Sequence, residues 1–246
     1  MKILIENFKK FLTEGWAGSG FGGTLNPGKY MDEPGAAAKA VERGEELKGW
    51  DKYAQLVAMA YRGAPDVSDA GEESFTALMS HIDKNFRRIA SRVDVQFVDG
   101  QPYDNADQMK QRVNDEGVMY ISRDFNQAGF FGELEDLETG EKLDRNLMFR
   151  ALHDWFAHLK ATADPKKITQ FGFKGELQAY NEHANFIGKN AKALPALFTE
   201  VVGQVCHVTH YGDFPDQKIA TLPQFSHTKL GAVDGYTIVD GELVKE

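Results

Sequence analysis

The chain has 246 residues, a formal net charge of −9 and 42% apolar residues, including 17 Phe, which is enough for the core of one large domain. The acidic balance predicts neither nucleic acid nor an anionic membrane as the main partner, because phosphate binding requires a basic surface. The single Cys206 excludes an internal disulfide and favours a reducing compartment, and no apolar run approaches the roughly 18–20 residues of a transmembrane helix.

The N-terminal residues 2–14 are predicted to form an amphipathic helix, because apolar side chains recur there at helical spacing between Lys and Glu. Residues 15–40 begin with a glycine-dense stretch and are predicted to be a flexible segment, although the residues after Pro34 are rich in alanine and favour a helix. The leader 1–14 is then either an address on a tether or a helix that packs back onto the domain.

The first 15 residues, MKILIENFKKFLTEG, also resemble the capsid-targeting leaders of internal head proteins in large tailed phages. Those leaders often end in an aliphatic-x-Glu site that the prohead protease cuts, and Leu12, Thr13 and Glu14 followed by Gly15 match that pattern. The resemblance implies that residues 1–14 interact with the phage head or prohead protease. It also implies a location in the host cytoplasm or the virion interior.

Residues 41–246 are predicted to form a single globular domain. The expected fold class is α+β, mainly helical, with a small β-sheet and the N-terminal amphipathic helix on its glycine-rich tether. Apolar periodicity of 3.6 predicts helices and alternation predicts strands. The helices are expected at 50–62, 72–91 and 103–113, the strands at 93–98 and 118–122, an acidic loop at 124–146, and a C-terminal hairpin at 236–244.

The stretch 147–218 is predicted to hold a polar site on three further helices, at 147–160, 176–186 and 194–206. Each helix carries polar residues three, four or seven positions apart, which lie on one helical face. These sets are Asp154 with His158, Glu176 with Tyr180 and His183, and Glu200 with Gln204.

The first helix separates its two histidines if it is regular. At about 100° per residue, Asp154 and His158 lie about 40° apart, whereas His153 and His158 lie about 140° apart. Regular geometry therefore predicts that the two histidines do not share an ion. Asp154 could bind an ion together with His158, or it could accept a hydrogen bond from His158 and so orient that ring. Alternatively, Asp154 could pair with Arg150, which lies one turn earlier.

The carboxylate and imidazole groups on these helices are ligands that zinc, iron and manganese accept. We predict His158, Glu176, His183 and Glu200 as metal ligands, and Asp154, His158, Tyr180 and Gln204 as catalytic residues. Glu200 lies in a very apolar helix and must be paired, ligated, protonated or at the surface, whereas Glu176 also suits a helix N-terminus. Without a metal, His158 or His183 would act as general base and Asp154 or Glu200 would orient it.

Known metal motifs do not match this arrangement. The Glu-x-x-His of carboxylate-bridged dimetal bundles is absent, and HDWFAH differs from His-Glu-x-x-His because its second histidine comes five residues after the first. His207 and His210 are expected beyond the third helix and are weaker ligand candidates.

A second resemblance covers residues 101–224. The order QPY, N-x-x-FRA-x-HD-x-F-x-H, GE-x-x-AY-x-x-H, TE-x-x-GQ and FP-x-QK, whose second motif begins at Asn146, resembles an uncharacterised domain of phages and of polyvalent proteins from mobile elements. The resemblance implies a phage origin and keeps His153 among the catalytic candidates. Ala157 stands where that pattern has a glycine.

The sequence thus favours a phage-encoded, metal-dependent, hydrolase-like enzyme that acts on a small molecule or peptide. The alternatives are a non-catalytic internal head protein packaged through its leader, and a helical scaffold with a satisfied polar core.

Overall fold

A computed structural model describes residues 28–124, 126–135, 140–159, 172–188 and 191–232, together with the backbone of strands at 236–239 and 242–245. The leader 1–14 and the start of the glycine-rich segment lie outside these residues, so the predictions made for them stay predictions. The mainly helical α+β class is confirmed. None of the helices in the described ranges is long and apolar enough to cross a membrane.

The helices are numbered in chain order, and two of them run into a π-helical turn, named π1 and π2. They are α1 (Ala36–Glu42), α2 (Gly49–Gly63), α3 (Asp69–Ala90), α4 (Ala106–Glu116), α5 (Arg145–His153), π1 (Asp154–Leu159), α6 (Phe173–Ile187), α7 (Leu194–Phe198), π2 (Thr199–Gly203) and α8 (Gln204–Tyr211). The helices predicted within the described ranges are therefore present, and α8 continues past the predicted end at residue 206.

The strands form three two-stranded sheets among the described residues. They are β1 (Asp94–Val98), β2 (Val118–Ser122), β3 (Glu133–Glu135), β4 (Lys142–Asp144), β5 (Tyr236–Val239) and β6 (Glu242–Lys245). β1 pairs with β2 in parallel, with α4 as the crossover, and the other two sheets are antiparallel. The region 124–146, predicted to be loop, contains the short β3–β4 pair.

The core forms because each long helix has one apolar stripe. Tyr53, Val57 and Tyr61 follow one another at four-residue steps on α2 and are fully buried. On this side α2 packs against α8, while α3 packs against α5 and α7. Polar caps set where helices begin: the Ser68 side chain accepts a hydrogen bond from the Gly71 amide (3.1 Å), and Asp144 accepts one from the Asn146 amide (2.7 Å).

The segment just before the predicted domain boundary belongs to the fold. In α1, Ala37 and Ala40 are buried, and this helix packs against α8. The approach depends on two glycines with positive φ, Gly35 (78°) and Gly212 (86°), because a Cβ on Gly212 would lie 3.2 Å from the Gly35 Cα. The boundary predicted at residue 41 therefore falls inside a packed helix, and residues 28–40 are not a tether.

Candidate metal centre

The two histidines of HDWFAH lie close together, contrary to the prediction from regular helical geometry. Their ring centroids are 5.2 Å apart. The cause is π1, which begins directly after His153 and ends after His158. A π-helix is closed by hydrogen bonds between residues five apart, so residues at that spacing lie one above the other. His153 therefore belongs to the candidate centre with His158.

Glu176 on α6 faces both histidines. Its Oε2 lies 3.1 Å from His153 Nε2, and its Oε1 lies 3.6 Å from His158 Nε2. Glu176 occupies the first turn of α6, where its backbone N–H donates to the Gly172 carbonyl (2.8 Å). Glu176 is therefore placed to stabilise the N-terminus of α6, as predicted, and it also contacts both imidazole rings.

The charges within this group compensate one another. Burial alone would lower the pKa of His153, but the hydrogen bond and the charge of Glu176 outweigh burial and raise it. Burial would raise the pKa of Glu176, but the hydrogen bond from His153 and the charges of both histidines lower it. His153 and Glu176 therefore each favour the charged form of the other, through the hydrogen bond between them and through their charges.

The group could hold one metal ion. One ligand atom from each of His153, His158 and Glu176 lies within 4.8 Å of the other two. In a tetrahedral centre with bonds of about 2.0–2.2 Å, ligand atoms are separated by about 3.3–3.6 Å, close to the His–Glu distances here. Two imidazoles and one carboxylate are ligands that Zn²⁺, Fe²⁺ and Mn²⁺ accept. His158 is 1% exposed, whereas His153 and Glu176 are partly exposed.

A cleft of about 440 Å³ opens beside the centre, and His153 and Glu176 form part of its wall. It runs between α5, π2, the start of α8 and the segment 214–217. Other residues that line it are Asn126, Gln127, Asn146, Phe149, Arg150, Asp154, Glu200, Val201, Gln204, Val205, Val208, Phe214, Pro215, Asp216 and Gln217. The predicted residues Asp154, Glu200 and Gln204 therefore share one cleft with His153 and Glu176.

Glu200 on π2 lies in a network of amide side chains. Its Oε2 accepts hydrogen bonds from Gln204 Nε2 (2.7 Å) and Gln217 Nε2 (2.8 Å), and Asn146 Nδ2 in turn donates to Gln217 Oε1 (3.0 Å). Glu200 is 6% exposed, and its Oε1 is buried without a hydrogen-bond partner in the described chain. Burial raises the pKa of Glu200 to about 8, although both glutamine contacts oppose the shift.

His183 does not join the group of three ligands, contrary to prediction. Its Nε2 lies 3.4 Å from His81 Nε2, and His81 Nδ1 is 3.2 Å from Asn85 Nδ2. Asn85 Nδ2 also donates to the His81 carbonyl (2.9 Å), so we assign His81 Nδ1 as an acceptor and His81 Nε2 as the donor to His183. Burial lowers the pKa of His81 to about 4 and that of His183 well below its usual value, so both rings are neutral.

Four further candidates do not join the three ligands: Tyr180, His207, His210 and Glu200. Tyr180 donates to the His227 carbonyl (2.6 Å) and is absent from the cleft wall, so its predicted catalytic role is not supported. His207 and His210 lie within α8, not beyond the helix. Glu200 lines the cleft, but it lies outside the group of close ligand atoms found among the described residues.

Arg150 and Asp154 do not form the ion pair considered from the sequence. Arg150 Nη1 donates to the carbonyls of Ser122 (3.2 Å) and Asp124 (2.6 Å). Burial raises the pKa of Asp154, and the charges of His158 and His153 reduce the effect. Asp154 is therefore a carboxyl on the cleft wall whose protonation depends on the adjacent histidines.

Residue spacing did not identify Arg150, Asn146 or Gln217 as site members, although all three occur in the second sequence pattern. Their contacts join residues far apart in the chain, as in the pair Asn146–Gln217. The second sequence pattern, which contains all three residues, is the signal that could have identified them as members of the site. Comparisons with protein-family models, curated proteins and solved structures find no match.

Proposed function

We propose that the protein is a metal-dependent hydrolase whose ion is held by His153, His158 and Glu176. The observation that carries this proposal is the position of these three ligands at the wall of a 440 Å³ cleft. Structural zinc sites are closed by four protein ligands, whereas catalytic sites keep a position for water or substrate. Two ligands at the cleft wall with the third buried behind them match the catalytic arrangement.

A bound divalent ion would supply Lewis acidity and a water of lowered pKa. The chain itself supplies a proton-transfer group, because Glu200 has a pKa of about 8 and changes protonation close to neutral pH. Gln204 and Gln217 hold Glu200 Oε2, so the exchangeable proton resides on Oε1. In this proposal Glu200, which lines the cleft, gives a proton to the leaving group and regains one from the attacking water, so that its protonated form is restored.

The resemblance of residues 101–224 supports a phage or mobile-element origin for this enzyme, and the three proposed ligands lie within that range. Packaging into a phage head depends on residues 1–14, and it remains a prediction from the leader pattern. Packaging and catalysis are compatible, since a packaged protein can be an enzyme.

Metal binding tests the proposal directly. Purified full-length protein, freed of metal and incubated separately with Zn²⁺, Fe²⁺ (without oxygen) and Mn²⁺, should retain one ion per chain after gel filtration, measured by plasma mass spectrometry. Ligand binding stabilises the folded state, by about 2.7 kcal/mol at a concentration of 100 Kd. The best-bound metal should therefore raise the melting temperature. Hydrolysis of chromogenic ester, amide and phosphoester substrates should require that metal.

Single ligand replacements provide the matched controls. His153→Ala, His158→Ala and Glu176→Gln should each abolish retention of the ion, whereas His227→Asn, which removes a partly buried imidazole away from the cleft, should leave it unchanged. Equal metal content in the three variants and the wild type would refute the ligand assignment. Tight metal binding with unchanged hydrolysis in Glu200→Gln would refute the role of Glu200.

A further inference from the structure

Arg150 is a cationic residue on the cleft wall, one helical turn before Asp154. Its Nη1 is held by two backbone carbonyls at and just beyond the end of β2, those of Ser122 and Asp124. These hydrogen bonds fix the plane of the guanidinium and occupy only one of its three nitrogens.

The opposite edge of this guanidinium, formed by Nε and Nη2, has no acceptor in the described part of the chain. Within the same ranges, no carboxylate oxygen lies within ion-pair distance of Arg150, and neither nitrogen is among the fully enclosed polar atoms without a partner. The edge is therefore unpaired and still accessible. Since Arg150 lines the cleft, the cleft is the space that this edge can reach.

Arg145 on the same helix shows what this edge binds. Its Nε donates to Asp83 Oδ1 (2.7 Å) and its Nη2 donates to Asp83 Oδ2 (2.9 Å). Two parallel hydrogen bonds of this kind recognise the paired oxygens of carboxylate or phosphate. Both arginines thus present the same pair of donors, Nε and Nη2. In Arg145 a protein carboxylate accepts from this pair, whereas in Arg150 no acceptor among the described residues does.

A guanidinium remains charged in proteins, and Arg150 is partly buried, where a charge without a contacting counter-ion is destabilising. The carbonyls of Ser122 and Asp124 solvate part of the Arg150 charge but do not neutralise it. The charges of four carboxylates act on Arg150, those of Asp154, Asp144, Glu200 and Asp124, but none of them lies within ion-pair distance of it. An anionic group in the cleft would supply the missing contact.

We propose that the Nε–Nη2 edge of Arg150 binds a carboxylate or phosphate group of the substrate, so that the substrate of the cleft is an anion. This inference rests on the proposed function only in treating the cleft as the substrate site. The bound oxygens accept both hydrogen bonds, and the rest of the substrate extends along the cleft towards His153 and Glu176.

The test uses metal-free full-length protein prepared with a chelating resin, because a dissolved chelator is itself an anion. Succinate and inorganic phosphate are the two probes, and binding is measured by calorimetry and by two-dimensional NMR. The wild type should bind at least one probe with a Kd in the millimolar range. Arg150→Gln should weaken binding at least about tenfold, because both charge-assisted hydrogen bonds are lost.

Two further variants separate charge, geometry and folding. Arg150→Lys keeps the charge without the planar fork and should bind the probe more weakly than the wild type but better than Arg150→Gln. Arg87→Gln removes an exposed arginine of α3 and should bind like the wild type. Circular dichroism melting of each variant shows whether it is folded. If Arg150→Gln is unfolded, the test is whether folded Arg150→Lys binds the probe more weakly than the wild type.

The proposal is overturned if the wild type binds neither probe at millimolar concentration, or if folded Arg150 variants bind as well as the wild type. A preference for succinate or for phosphate identifies the group that the fork selects. Metal retention by the same preparations is measured separately. Anion binding without metal binding would refute the metal centre alone, and metal binding without anion binding would refute this inference alone.

Discussion

Replacing Glu200 by Gln should remove a specific dependence of stability on pH. Glutamine has nearly the shape of the protonated acid, and its carbonyl oxygen can accept the hydrogen bonds from Gln204 and Gln217 that Glu200 Oε2 now accepts. The substitution therefore keeps the network and removes the ionisation.

The magnitude follows from the difference between the folded and unfolded pKa values of Glu200. Its pKa rises from the ordinary value of 4.5 to about 8 in the fold. Between these values the folded state holds a proton that the unfolded state has lost. Raising the pH therefore destabilises the wild type by about 1.4 kcal/mol per pH unit. From pH 5.5 to 7.5 the free energy of unfolding of the wild type falls by roughly 2–3 kcal/mol through this group. The glutamine variant cannot ionise at this position and should not lose this stability.

The assay is urea unfolding of metal-free wild type and Glu200→Gln at pH 5.5 and 7.5. Taking the difference between the two proteins at each pH cancels the other titrating groups. The variant should gain roughly 2–3 kcal/mol relative to the wild type on going to pH 7.5. Glu46→Gln, which removes an exposed carboxylate, should show no such change. A difference that is constant with pH, or that favours the wild type at pH 7.5, would refute the protonated Glu200.

Two other predictions concern the centre and π2. Because the pKa of His153 is raised by Glu176 and a metal needs neutral imidazole, metal binding below that pKa should release a proton from His153, and affinity should rise with pH. Calorimetry in buffers of different ionisation enthalpy measures this release, and identical heats would contradict it. Gly203→Ala should cost about 1–3 kcal/mol, because its Cβ would lie 2.6 Å from the buried Tyr61 ring. Gly63→Ala, which meets nothing within 4 Å, should not destabilise the fold in the same denaturation assay.

Local periodicity predicted the parts of this molecule that depend on neighbouring residues. The apolar stripe of α2 identified that helix because the helix has one buried face, and the period-two alternation at 93–98 identified the strand β1. The same spacing rule placed Glu200 and Gln204 together, and their hydrogen bond of 2.7 Å confirms the pair.

The candidate site required more than local spacing. The rule of about 100° per residue separated His153 from His158, because it assumes a regular α-helix and π1 is not one. The contact between His81 and His183 joins residues 102 positions apart, and no helical period can indicate it. Tyr180 shares the face of Glu176 by spacing, yet its hydroxyl is used by the His227 carbonyl, which depends on how the segment after α8 folds back.

The π-helical turn after His153 changes how this kind of centre should be sought in other chains. A search template based on α-helices accepts histidines four residues apart and rejects His-x-x-x-x-His. Here the five-residue spacing is the one that brings both imidazoles to the same carboxylate. Conversely, copying HDWFAH onto a regular helix during protein design would place its two histidines on different sides, so the motif is transferable only together with its wider turn.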